Sequence, residues 1–141
     1  MSCGEVRATG GCLCGAVRYE VTGPLRPVVA CHCEQCRRQS GHFVAATATR
    51  MPHLKLVRSD GLRWYRSSPE ARRGFCGICG SSLFWEPGPG RHISIMAGTL
   101  DRPTGLEMAA HLFAGCAADY YRITDGLPQH PGGDHEVAIP S

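Results

Sequence analysis

The chain has 141 residues, 43% of them apolar, and a formal net charge of +3, which suits one domain with a modest core. No run of about 18 apolar residues is present, which excludes a membrane-spanning helix. The basic residues come no denser than the pairs Arg37-Arg38 and Arg72-Arg73, which argues against nucleic acid as a partner.

In chain order, Met1 to Glu20 shows no basic stretch followed by an apolar run. Charged Glu5, Arg7, Arg18 and Glu20 and several glycines interrupt it, which predicts a chain kept in the reducing cytoplasm. Ala16 to Val21 alternates apolar and polar residues, as a half-buried strand does. Pro27 to Ala30 is a short apolar strand, and Glu34 to Ser40 suits about two helical turns, ended by Gly41 as a C-terminal cap. Phe43 to Thr49, Leu54 to Val57 and Leu62 to Arg66 read as strands, the last two separated by the turn residues Ser59-Asp60-Gly61. After a glycine-bearing knuckle, Cys76 to Gly80, strands are expected at Ser82–Glu86, His92–Met96 and Glu107–Phe113. Pro87-Gly88-Pro89-Gly90 forms the turn between the first two of these. From Pro131 onward the composition is that of a frayed tail. There is no internal repeat or linker.

Seven of the nine cysteines fall into three clusters: Cys12-Leu13-Cys14, Cys31-His32-Cys33-Glu34-Gln35-Cys36 and Cys76-Gly77-Ile78-Cys79. Neighbours so close can turn their sulfurs onto one ion but make strained disulfides, and an odd total leaves a thiol unpaired. Structural zinc takes four protein ligands and catalytic zinc three, so seven suggests one closed and one open site. Cys12, Cys14, Cys76 and Cys79 would clip distant segments together. Cys31, Cys33 and Cys36 would leave a corner for water or substrate. Spacing alone leaves another pairing open, a ribbon of Cys33 and Cys36 with Cys76 and Cys79 that sets Cys12, Cys14 and Cys31 apart. A fourth ligand from His32, His42, His111 or Cys116 would close the second site. His32 is expected to point away from the metal and His111 to be a core histidine, while Cys3 and Cys116 read as ordinary thiols.

These motifs resemble the glutathione-dependent formaldehyde-activating enzyme (GFA) family, which also takes in centromere protein V. The matching segments are Gly11 to Tyr19, Cys31 to Arg37 and Phe75 to Leu83, with Gly98-Thr99-Leu100-Asp101, His111-Leu112-Phe113 and Asp125-Gly126-Leu127-Pro128. The resemblance covers about residues 10–130, which makes 1–9 an N-terminal arm, 10–130 the zinc-binding domain and 131–141 a flexible C-terminal tail. It implies a mainly β fold, a β-tent of several short twisted antiparallel sheets pinned by zinc, with little helix. It also implies two Zn²⁺ per chain, a structural ion on Cys12, Cys14, Cys76 and Cys79 and a second on Cys31, Cys33 and Cys36. The implied activity is that of a carbon–sulfur lyase of the S-(hydroxymethyl)glutathione synthase type, acting on a small thiol such as glutathione and a small aldehyde. One departure stands out: Gly115 to Tyr121 lacks the lysine and tryptophan usual in the family before the Asp-Gly-Leu-Pro segment.

A zinc with three thiolates carries a formal −1, which Arg37 or Arg38 is placed to offset. His32 or His42 is placed to take the hydroxyl proton in the lyase direction. Two other classes compete with an enzyme: a binding module in which both zincs are structural, and a redox sensor whose exposed triad loses metal on oxidation.

Overall fold

The computed structural model describes residues 5–88, 91–133 and 137–141. Cys3, the Pro89-Gly90 half of the expected turn and residues 134–136 of the tail lie outside the described residues. The rest is mainly β, with two sheets and a single short α-helix.

The smaller sheet is built on β2 (Val17–Val21), flanked by β1 (Ala8–Gly11) and β5 (Leu54–Ser59), both antiparallel to it. Alternation along β2 sends Val17, Tyr19 and Val21 into the core and leaves Arg18 and Glu20 half-buried at the other face. The larger sheet has the order β10-β3-β4-β9-β8-β7-β6. In chain order its strands are β3 (Val28–Cys31), β4 (Val44–Arg50), β6 (Leu62–Arg66), β7 (Arg72–Cys76), β8 (Ser82–Glu86), β9 (His92–Met96) and β10 (Met108–Leu112).

Three features depart from the sequence reading. β10 runs parallel to β3, with Leu112 beside Cys31, so the larger sheet is mixed rather than wholly antiparallel. β1 and β7 were not expected: Ala8–Gly11 is short and small, and Arg72–Cys76 holds two arginines and a glycine, a poor strand composition overridden by its partners. β5 and β6, although two residues apart, do not pair. β5 stays with β2 and β6 pairs β7, so Gly61 is the corner where the chain passes between sheets.

The larger sheet uses its faces differently. On one, Phe84, Ile93 and Ile95 pack with Tyr19, Val17 and Val21 of the smaller sheet, Tyr19 meeting Phe84 edge-on at 5.5 Å between ring centroids. The Tyr19 hydroxyl, 2.7 Å from Thr99 Oγ1, is pushed up to about 12 by burial. On the other face lie Cys36, Val44, Ala46 and Met96, beside α1 (Glu34–Ser40). The helix ends at Gly41 (φ +92°), as expected, since only glycine adopts that conformation without strain. Toward the C-terminus the Phe113 amide donates to the Gly132 carbonyl and Arg50 to the Ile139 carbonyl. No described helix is long and apolar enough to cross a membrane.

Candidate metal centres

Cys12 and Cys14 sit on the turn between β1 and β2, closed by Gly15 at φ +85°. Cys76 is the last residue of β7, and Cys79 follows on the turn to β8, which closes at Gly80 with φ +83°. The four sulfurs lie within 4.8 Å of one another. Cys14 Sγ is 3.7 Å from Cys12 Sγ and 3.8 Å from Cys76 Sγ. A sulfur tetrahedron with Zn–S near 2.3 Å has edges of about 3.8 Å, so this set fits the ion that its residue types suggest. Backbone amides converge on the sulfurs, from Val17 to Cys12 and from Ile78 and Cys79 to Cys76, as thiolate ligands require. The cluster joins the β1–β2 hairpin of one sheet to the β7–β8 hairpin of the other. The described cysteines are all free thiols, so disulfides do not make these links.

Gly61 was read only as a turn residue, yet it stands against this centre. A Cβ there would lie 2.7 Å from Cys76 Sγ and 3.0 Å from Ala16 Cβ. Its amide donates to Ala16 and its carbonyl accepts from Gly77, so the backbone cannot retreat. Gly61→Ala is expected to cost about 2 kcal/mol through overpacking. A thermal melt should show a drop of several degrees, and an unchanged melt would count against this close approach.

Cys31, Cys33 and Cys36 form a second cluster where β3 passes into α1, again within 4.8 Å. The Cys36 amide donates to Cys33 Sγ at 3.4 Å, making Cys33 the N-cap of the helix. Among the described residues no fourth His, Cys, Asp or Glu joins them. His42 bonds Tyr120, Cys116 is exposed, and His32 and His111 bond each other. Hydrogen bonds from the Cys31 and Cys36 thiols hold Cys33 far below a free thiol's value, and Cys31 is pushed up correspondingly.

Residues 7–116, most of the chain, match the family described as glutathione-dependent formaldehyde-activating enzyme. The chain belongs to the GFA family. A similar curated protein is an uncharacterised lyase of Schizosaccharomyces pombe, 34% identical over 77 residues, which are 54% of this chain and 55% of that protein. The match thus spans about half of the relative's length. A solved structure from Rhodobacter sphaeroides is 28% identical with a TM-score of 0.54, and the match covers 71% of this chain and 97% of that one.

Within this GFA chain the cation beside the triad is Arg73. Its Nη1 and Nη2 lie 3.9 and 3.8 Å from Cys36 Sγ, and Nη2 also reaches Gln35 Oε1 at 3.4 Å. Of Arg37 and Arg38, expected in that role, Arg38 pairs instead with Glu34 on the exposed side of α1. Once Arg72–Cys76 is known to be a strand, its two adjacent arginines must face opposite ways, but the sequence did not mark that strand. Arg72 turns to Glu86 and the Trp64 ring, and Arg73 is only 5% exposed.

A hydrogen-bonded chain behind the triad also escaped the sequence. His111 Nε2 donates to Asp125 Oδ2 at 2.8 Å, and its Nδ1 is 2.8 Å from His32 Nε2. With the His111 ring proton on Nε2 toward Asp125, Nδ1 accepts, which sets His32 as the donor from Nε2. The Leu127 amide and His111 hold Asp125 below the usual carboxylate range, while burial lowers His32. His32, 2% exposed between two cysteines of the triad, is thus anchored through a parallel strand to the Asp-Gly-Leu-Pro segment.

The triad opens on a cavity of about 190 Å³. Cys31, Cys33, Cys36 and Arg73 line it, and neither His32 nor His42 does. The departing stretch, residues 115–121, does not reach it either. Tyr120 and Tyr121 pack instead on His42 and Phe43, and Tyr120 is 68% exposed.

Proposed function

We propose that this chain is a zinc-dependent carbon–sulfur lyase acting on thiol–aldehyde adducts, of the S-(hydroxymethyl)glutathione synthase type, in the cytoplasm. It would carry two Zn²⁺, one structural on Cys12, Cys14, Cys76 and Cys79 and one on Cys31, Cys33 and Cys36. The observation that carries the reading is an open set of three sulfurs, with a buried guanidinium, at the wall of a half-open cavity. Zinc bound there would keep a coordinated thiol deprotonated at neutral pH. In the reaction a thiol loses its proton and its sulfur bonds the carbonyl carbon. The carbonyl π pair moves to oxygen, which takes up a proton, and the lyase direction reverses each change. Arg73 keeps a positive charge beside the three thiolates and at the cavity where the oxygen gains electron density. Its Nε has no hydrogen-bond partner among the described residues, so it is available to that oxygen. The Asp125–His111–His32 chain holds the cysteine loop in place. Thiol addition to an aldehyde is fast unaided, so positioning supplies much of what is needed.

The expected result is two zinc ions per chain by native mass spectrometry, together with accelerated adduct exchange when formaldehyde and glutathione are followed by NMR. Cys36→Ser should lower the exchange to background. Two zincs with no acceleration for any thiol would instead favour the zinc-stabilised binding module.

A further inference from the structure

The cavity at the triad is far larger than a one-carbon aldehyde requires. At about 190 Å³ it exceeds the roughly 150 Å³ of an engineered cavity that holds benzene. Its shape follows from strand register. Leu112, Cys31 and Val44 form one cross-strand row, and Val29, Ala46 and Met96 form the next. A third row, Ser94, Trp85 and Arg73, closes the far side. All of these residues line the space, and its floor is apolar at Val29, Val44, Ala46, Met96 and Leu112, with the sulfurs, Gln35, Ser68, Ser94 and the two arginines Arg26 and Arg73 as the polar groups around it. The room exists because Ala46 occupies the centre of the floor. Phe113, another wall residue, holds the left-handed backbone (φ 51°, ψ 44°), which a bulky residue adopts only under tertiary constraint.

We infer that this cavity receives the carbon body of the aldehyde, and that the aldehyde is aromatic or branched aliphatic, about the size of one ring, rather than formaldehyde. The inference rests on the reading of the triad as a thiol–aldehyde site. The thiol's own body is the weaker candidate for this space. A peptide thiol such as glutathione is charged at both ends, and burying those charges against Val29, Ala46 and Met96 would cost more than the contact returns. A wider cleft of about 960 Å³ shares Ser68, Ala71 and Trp85 with the cavity and has charges of both signs in its walls, Arg66, Arg72 and Arg91 with Glu70 and Glu86, as a zwitterionic thiol needs. A charged thiol is better accommodated on that side, with only its sulfur at the triad. The aldehyde carbon then meets the sulfur at the cavity mouth, its substituent pointing over Ala46.

The zinc-loaded protein should be assayed with glutathione and, in turn, formaldehyde, 3-methylbutanal and phenylacetaldehyde. Acceleration over the uncatalysed exchange is followed by NMR. Phenylacetaldehyde and 3-methylbutanal are expected to exceed formaldehyde by about tenfold or more, the discrimination that a fitted apolar pocket supplies. In Ala46→Leu that ratio should fall to near one, with zinc content and thermal melt checked alongside. Independently of turnover, 2-phenylethanol should shift the methyl signal of Met96 in wild-type protein and leave those of Met51 and Met108 unmoved. Equal or better acceleration with formaldehyde overturns the inference while leaving the lyase reading intact. No acceleration with any aldehyde overturns both. An unperturbed Met96 methyl counts against the cavity's taking a ring, whatever the rates show.

Discussion

Cys79→Ala is expected to unfold or aggregate the chain, whereas Cys33→Ala should leave it folded with a melting temperature only a few degrees lower. Cys79 belongs to the four-sulfur cluster that joins the β1–β2 hairpin to the β7–β8 hairpin, two elements of different sheets. A structural zinc contributes roughly 10–16 kcal/mol in small metal-dependent peptides. A whole domain of this size has a net stability of only about 5–15 kcal/mol. With the proposed zinc in place, loss of one of its four ligands would forfeit much of the first quantity, and the second could not absorb it. The sheets share a core around Tyr19 and Phe84, but the turns between Cys12 and Cys14 and between Cys76 and Cys79 carry the exposed Leu13 and Ile78 at their tips, so the sulfurs themselves are what these turns present to each other. Cys33 stands differently. Its cluster spans six residues of one segment, and no second strand depends on it. What Cys33 does provide is the N-cap of α1, and removing such a cap costs about 1 kcal/mol. Thermal melts of both variants beside wild type decide the matter. Equal destabilisation would mean that the triad, too, carries long-range structure.

The contrast between the clusters shows which parts of this molecule can be read from sequence. Each triad or pair of cysteines is local, and a spacing of two or three residues is itself the geometry that brings sulfurs together. The helix at 34–40 was legible for the same reason, because Gly41 marks its end within the segment. The alternation in β2 marked which residues face the core. What could not be read depends on partners far along the chain. Nothing near Ser59-Asp60-Gly61 tells that β5 and β6 diverge into separate sheets, since their partners lie at residues 17–21 and 72–76. The requirement for glycine at 61 arises from Cys76, fifteen positions later. The parallel β10–β3 pair, which sets His111 beside His32, joins segments almost eighty residues apart. Arg73 was obscured because charge next to a cysteine cluster in sequence pointed to Arg37 and Arg38 on the helix, whose outer side is solvated. The cation comes instead from β7, which reaches the triad's side of the sheet through its pairing with β8 and, beyond it, β9.

Arg73→Gln is expected to slow adduct exchange about 10²-fold, the loss typical of removing one preorganised electrostatic group from an active site. Three thiolates around the proposed Zn²⁺ would leave one negative charge at a site walled by Val44, Ala46 and Met96, and Arg73, 5% exposed, is the cation that the fold sets beside it. Stripping one partner from a buried charge pair leaves the other uncompensated, at a cost of about 3–5 kcal/mol. Part of that cost should appear as weaker metal binding. The variant's triad zinc is therefore expected to pass to a colorimetric chelator faster than in wild type, while release from the four-sulfur site stays slow. Arg73→Lys should recover only part of the loss, because an ammonium is a point charge and cannot hold Gln35 and Cys36 with the planar fork of a guanidinium. Arg38→Ala is the matched control. It removes an equal charge close in sequence, but from an exposed pair with Glu34 of the kind that contributes little. If Arg38→Ala and Arg73→Gln change zinc release and exchange alike, the triad responds to net charge rather than to a positioned guanidinium. If only Arg73→Gln acts, the residue that neutralises the site is the one that the β7–β8–β9 register turns inward.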